Sequence, residues 1–206
     1  AFSLKSKSDA RRELGIDKNE ICILSTGGSL GARVLNENIT KLLMWYQENN
    51  IKVTHIHSYG TYKGYADYIE NLQEHGIEVK NNKRLIVKEY INMPLCMAAC
   101  DLVITRCGAS ILAEVEAMGR GAILIPSPMV AENHQYHNGM VLEKAGAGIV
   151  IEEKDLGNDR VINEVKKLLE NPEKLKEFSQ NSAKLYIKDT NERIYGVLKA
   201  VCDKVR

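Results

Sequence analysis

The sequence predicts an α/β domain built on a parallel sheet with helices on both faces. Three observations point there. Short apolar runs alternate with stretches of helical periodicity along most of the chain. Three of those runs end in polar, helix-opening loops of one design. The interior holds no Pro/Gly/Ser-rich linker, so 206 residues read as one large domain.

The elements follow in order. Ser8–Leu14 is a short helical lead-in stopped by Gly15, and Ile21–Ser25 is a buried strand. Ala32–Gln47 carries Val34, Leu35, Ile39, Leu42, Leu43 and Tyr46 at helical spacing. Val53–His57 is the next strand, and Tyr62–Glu74 a helix with Gly76 as its C-cap. Ile77–Val79 and Leu85–Val87 are extended pieces. Pro94–Ala99 is a short helix with proline in its first turn. Then come strand Leu102–Thr105, helix Ser110–Met118 and strand Ala122–Ile125. Helix Gln135–Lys144 stops at Gly146, and Gly148–Ile151 is the last strand. Three helices, Asp159–Glu170, Pro172–Ile187 and Glu192–Lys204, finish the chain. This alternation implies parallel strands with helical crossovers.

Composition narrows the function. With 28 basic and 27 acidic residues, the net charge of +1 lacks the basic footprint of a nucleic-acid binder. No apolar run approaches the ~20 residues that cross a bilayer, and the polar stretch Ala1–Arg12 is no signal peptide. Cys22, Cys96, Cys100, Cys107 and Cys202 form an odd, scattered set that reads as reduced thiols, with Cys96 and Cys100, at i and i+4 on one helix face, packed as small hydrophobes.

The chemistry lies in three loops. Ligands of a parallel sheet bind at the carboxyl ends of its strands. In the first loop, Gly27-Gly28-Ser29-Leu30-Gly31-Ala32, glycines admit a phosphate close to the amides, and the following helix points its positive end at it. The alternative is a strand-to-helix turn that merely needs glycine. The loop is neither a Walker A motif nor Gly-x-Gly-x-x-Gly, and the second strand ends in His55-Ile56-His57-Ser58 without a carboxylate, which disfavours NAD. In the second loop, Arg106-Cys107-Gly108-Ala109-Ser110, Ser110 is an N-cap candidate and Glu114 lies one turn further on the same face. Glu114 suits a ribose diol, or else serves the helix dipole. Arg106 either pairs with a phosphate or braces the loop. In the third, Glu132, Asn133, His134, Gln135, His137 and Asn138 suit a sugar's hydroxyls; the alternative is a solvated loop with Asn133 as helix cap. His134 and His137 lack further metal ligands, and no Asp-x-Asp pair or Gly-x-Ser-x-Gly elbow occurs. His55 and His57 face one side of their strand, and His75 is a surface residue.

Taken in order, Gly27–Asn36, Arg106–Glu114, Ile125–Pro128 and Glu132–Asn138 resemble the MurG family of bacterial N-acetylglucosaminyltransferases. The resemblance runs from about Gly15 to the end. It covers the family's carboxyl-terminal domain, the Rossmann-like, donor-binding half of a two-domain GT-B fold. It implies an inverting, metal-independent transfer of GlcNAc from UDP-GlcNAc to undecaprenyl-pyrophosphoryl-MurNAc-pentapeptide, the step from lipid I to lipid II in peptidoglycan synthesis. It further implies that Gly27, Gly28, Ser29 and Gly31 meet the pyrophosphate and that the Ile91 backbone reads uracil. Gly108, Ala109 and Ser110 then lie at the phosphates and sugar, Glu114 at the ribose, and His134 and Gln135 at the GlcNAc. No cofactor is expected.

The family's amino-terminal domain, with its catalytic base and membrane-facing patch, has no counterpart here, and an Asn-Pro-Val-Arg segment would fall just before Ala1. Residues 1–14 are then a lead-in from that domain, and residues 189–206 a helix that packs on it. The full enzyme would be cytoplasmic and peripheral on the inner face of the plasma membrane. The Tyr90–Met93 stretch is one residue shorter than the family's. The alternatives are another GT-B sugar-nucleotide enzyme, such as a UDP-GlcNAc 2-epimerase, or a donor-binding subunit that needs a separate membrane partner.

Overall fold

A computed structural model describes residues 5–204; residues 1–4 of the expected lead-in and residues 205–206 of the expected carboxyl-terminal helix, residues 189–206, lie outside it. Six strands form one sheet: β1 (Ile21–Thr26), β2 (Val53–Ser58), β3 (Leu85–Lys88), β4 (Leu102–Thr105), β5 (Gly121–Leu124) and β6 (Gly148–Val150). Their order is β3-β2-β1-β4-β5-β6, and every pair is parallel. This is the doubly wound arrangement. The order reverses between β1 and β4, where Thr26 pairs with Thr105, so a crevice opens beyond the carboxyl ends of those two strands.

The helices are α1 (Lys7–Leu14), α2 (Arg33–Glu48), α3 (Tyr68–Glu74), α4 (Met93–Ala99), α5 (Ala109–Met118), α6 (His134–Lys144), α7 (Arg160–Glu170), α8 (Pro172–Leu185) and α9 (Thr190–Lys204). Strand side chains alternate between two cores. Ile23, Ile104 and Ile123 pack under Leu35, Ile39 and Leu42 of α2 and Val161, Val165 and Leu168 of α7. Cys22, Leu24, Val103 and Leu124 pack under Met97 of α4, Leu112 and Val115 of α5 and Leu142 of α6. Both faces are therefore covered, as the near-continuous apolar strands require.

Buried Arg11 of α1 ties the helix to the sheet's amino-terminal edge. It donates to the carbonyls of Ala99, Asp17, Lys18 and Glu20 and pairs with Asp101 at 2.6 Å. Cys96 and Cys100 are buried, as is Cys107, whose thiol burial pushes up to about 12. Such thiols are protonated and inert near neutral pH.

Two expected elements differ. The Tyr62–Glu74 helix is broken into a 3₁₀ turn at Lys63–Tyr65 and α3, with Gly64, a poor helix former, in the turn. Ile77–Val79 joins no strand. Gly76 stands one residue past the C-cap His75, and the bonds Gly76 N–H to Gln73 O (2.8 Å) and Ile77 N–H to Leu72 O (2.9 Å) close a Schellman motif. The segment's first donor thus ends a helix instead of entering the ladder, while the Ile77 side chain anchors the core.

Candidate functional site at the carboxyl edge of the sheet

The three predicted loops follow β1, β4 and β5, three neighbours in the sheet that flank the switch point. The first is a tight turn in which Gly31 N–H donates to Gly28 O at 3.0 Å and Gly28 N–H to Thr26 Oγ1 at 3.2 Å. Gly31 has φ +80°, and a Cβ there would stand 2.0 Å from Tyr59 O, so no other residue fits. Ser29 is exposed and its hydroxyl makes no bond among the described residues. Ala32 caps α2 with no side-chain bond, and among the described residues the N–H groups of Arg33, Val34 and Leu35 meet no carbonyl.

The second loop repeats this. The expected N-cap, Ser110, is instead the second residue of α5, because the chain turns helical at Ala109 and Gly108 holds the extended cap conformation. Gly108 offers no capping side chain, so the Ala109, Ser110 and Ile111 N–H groups are also without partners among the described residues. A Cβ on Gly108 would meet nothing within 4 Å, which marks open space in front of it. By contrast α4, which follows β3 at the same edge, is closed by the Asn92 side chain accepting from Leu95 N–H at 3.2 Å. Two unsealed helix amino termini, each about half a positive charge, therefore flank the switch point. They make an anion cradle.

Arg106 braces the loop. It donates to the Ile125 and Pro126 carbonyls at 3.2 and 3.3 Å and pairs with Glu153 at 2.6 Å. Glu114 projects from α5 with no partner among the described residues, and partial burial pushes its carboxyl above the usual range.

In the third loop Glu132 and Asn133 both sit at φ +51°, the left-handed region that non-glycine residues rarely occupy. Asn133 is the N-cap of α6 by position, but its side chain makes no capping bond, since that backbone turns it away. His134 is exposed with Nδ1 against Ala131 O at 3.0 Å, which leaves Nε2 outward. Gln135 is a clasp: its Oε1 accepts from Cys107 N–H at 3.2 Å and Ser127 N–H at 3.0 Å, joining the second loop to the third. Only its NH₂ remains for a ligand. Asn138, expected at the sugar, instead donates to Cys107 O at 3.1 Å and braces the same junction.

Ile91 lies just before α4, its side chain buried and its backbone N–H and C=O without partners among the described residues. It follows β3, two strands from the switch point. The loop between β2 and the 3₁₀ turn, Tyr59–Tyr62, lies between Ile91's segment and the glycine loop and was missed by sequence reasoning. The one signal for it was Gly60, two residues beyond the end of β2. His55 and His57 do face one side. Both are fully buried, and Ser25 Oγ lies 2.7 Å from His55 Nε2 and 2.7 Å from His57 Nδ1. They belong to the core under α2, not to the site, and His75 is exposed. Among the described residues no group of three His, Cys, Asp or Glu side chains is placed to hold a metal. A cavity of about 540 Å³, lined by Asp17, Glu20 and Arg84, lies at the opposite edge of the sheet, away from this chemistry.

The fold is a doubly wound α/β domain, of the class that takes its ligands at the switch point of the sheet. Residues 22–194 match the Glycosyltransferase family 28 C-terminal domain. The chain belongs to that family. A relative from Thermoanaerobacter sp. (strain X514), named UDP-N-acetylglucosamine--N-acetylmuramyl-(pentapeptide) pyrophosphoryl-undecaprenol N-acetylglucosamine transferase, is 36% identical over 196 residues, 95% of this chain and 52% of the relative. A namesake from Desulforamulus reducens is 35% identical over 171 residues, 82% of this chain and 45% of the relative. The chain thus spans about half the length of these relatives. Among solved structures, Acinetobacter baumannii MurG superposes with a TM-score of 0.75 at 24% identity, covering 96% of this chain and 54% of that one. Anabaena Alr3699/HepE in complex with UDP-glucose superposes at 0.62 and 18% identity, covering 94% and 52%. Both share the fold.

Proposed function

We propose that this chain is the donor half of a metal-independent, inverting N-acetylglucosaminyltransferase that binds UDP-GlcNAc and serves the step from lipid I to lipid II in peptidoglycan synthesis. The observation that carries the reading is the pair of unsealed helix termini, α2 and α5, at the switch point of the sheet. In this reading the glycine loop and the Gly108–Ser110 turn hold the pyrophosphate, Glu114 accepts from the ribose diol, and the Ile91 backbone pairs with uracil. The Gln135 NH₂ and His134 Nε2 face the GlcNAc. As UDP leaves, negative charge grows on its β-phosphate, and the free amides stabilise it without reorganising. No step in this scheme calls for a metal.

The acceptor lipid and the base that takes its proton come from a second half, like the one that makes up the rest of the relatives' length. Helix α9 fits that arrangement. Ile194, Val197, Leu198 and Val201 are 55–65% exposed, an apolar face that a neighbouring domain would cover. Membrane contact belongs to that second half as well; among the described residues no helix is long and apolar enough to cross a membrane.

Calorimetric titration with UDP-GlcNAc, UDP-GalNAc and NAD, with and without magnesium, tests the reading. Magnesium-independent binding of UDP-GlcNAc, weakened by Glu114→Ala, is the expected result. Preference for NAD, or conversion of UDP-GlcNAc to its epimer without any acceptor, would overturn it.

A further inference from the structure

The glycine loop and the Ile91 segment follow β1 and β3, which are not neighbours; β2 lies between them. No hydrogen bond links the two directly among the described residues. The loop after β2 touches both. On one side, Thr61 N–H and Thr61 Oγ1 both donate to Ser29 O, at 2.9 and 3.1 Å, and Tyr62 N–H reaches Leu30 O at 3.4 Å. Gly60 is buried with φ +95°, and a Cβ there would lie 2.1 Å from Gly31 N and 2.3 Å from Gly31 Cα. The two loops are therefore in backbone contact. On the other side, Tyr59 N–H donates to Lys88 O at 3.1 Å, and Gly60 N–H to Glu89 O at 3.0 Å. Glu89 O also accepts from Ser58 Oγ at 3.1 Å, two residues before Ile91. From α2 below, the buried Asn36 Nδ2 donates to Tyr59 O at 3.0 Å and fixes the loop's height.

We propose that Gly60 and Thr61 are positioning residues that hold the phosphate loop and the base-side segment at one fixed separation, matched to a nucleoside diphosphate. This rests on the nucleotide reading above. A ligand that touches only one of the two segments gains nothing from that spacing. A ligand that spans both gains the pre-set geometry, since binding at one end delivers the other at high effective concentration.

The test uses Gly60→Ala, Thr61→Val and Thr61→Ser in the full chain, titrated with uridine, inorganic pyrophosphate and uridine diphosphate by chemical-shift perturbation. Gly60→Ala is expected to weaken uridine diphosphate by about tenfold or more, while uridine and pyrophosphate each change by less than about threefold. Thr61→Val, which keeps the N–H but loses the hydroxyl bond, should show the same pattern more weakly, and Thr61→Ser should restore it. Without ligand, amide exchange at residues 28–31 and 89–91 should rise together in Gly60→Ala and Thr61→Val. Equal losses for all three ligands, or exchange that rises in one segment alone, would overturn the proposal. A wild-type chain that binds no uridine diphosphate defeats the nucleotide reading itself. That outcome is distinct from one in which wild type and variants bind alike, which defeats only the role of residues 60 and 61.

Discussion

Gln135 has two jobs that a pair of substitutions separates. Its Oε1 holds Cys107 N–H and Ser127 N–H, and in the proposed complex its NH₂ meets the donor sugar. Gln135→Ala removes both. Two loop amides then lose their acceptor at a half-buried site that water partly reaches, at a combined cost of about 2 kcal/mol. For a domain of this size, 1 kcal/mol moves Tm by about 2–4 °C, so a fall of roughly 4–8 °C is expected. Gln135→Glu keeps two acceptor oxygens in the same place, and charged acceptors make shorter, stronger bonds. Its Tm should therefore stay within about 2 °C of wild type. The carboxylate, however, offers no donor to a sugar hydroxyl and, in the proposed complex, adds a negative charge on the phosphate side of the site. Affinity for UDP-GlcNAc should fall by about tenfold or more, one lost hydrogen bond plus repulsion, and fall further than affinity for UDP. Differential scanning calorimetry and titration of the same samples read both numbers. A Gln135→Ala variant with wild-type Tm would refute the clasp. A Gln135→Glu variant that binds UDP-GlcNAc as wild type does would refute the sugar contact.

Burial, with His57 a further influence on His55, pushes the pKa of each buried imidazole down to about 3, against about 6.5 when unfolded. The native state then binds fewer protons than the unfolded chain in that window. Stability should be full above pH 6.5 and fall by up to about 1.4 kcal/mol per pH unit for each imidazole as the pH drops toward 3, a slope that His57→Gln should roughly halve in urea titrations. Arg106→Ala should cost about 2–3 kcal/mol by freeing two carbonyls and the Glu153 carboxylate. Arg106→Lys should rescue less than half of that by chemical denaturation, because an ammonium cannot span the three acceptors.

Much was legible in the chain. Apolar runs such as Leu102–Thr105, closed at each end by polar or helix-opening residues, placed strands within a residue or two, because a strand buried on both faces tolerates little else. The three loops were legible for the same reason: glycine and small polar residues after an apolar run leave few structural alternatives. What the sequence could not carry was the assignment of partners across space. Ser110 read as a cap until the backbone placed Gly108 there. Arg106, open between phosphate and brace, was decided by carbonyls nineteen and twenty residues away. Asn138 looked like its neighbour Gln135, yet one side chain is consumed by Cys107 O and the other keeps its NH₂ free. The link from Thr61 to Ser29 needs β2 to lie beside β1, a fact of sheet order that no local pattern encodes. Local propensity and hydrophobic period act over a few residues, so they determined the elements and the loop chemistry. Hydrogen-bond partners are chosen by strand order and packing over the whole chain, so only the tertiary structure decided which polar side chains brace the site and which remain to meet a ligand.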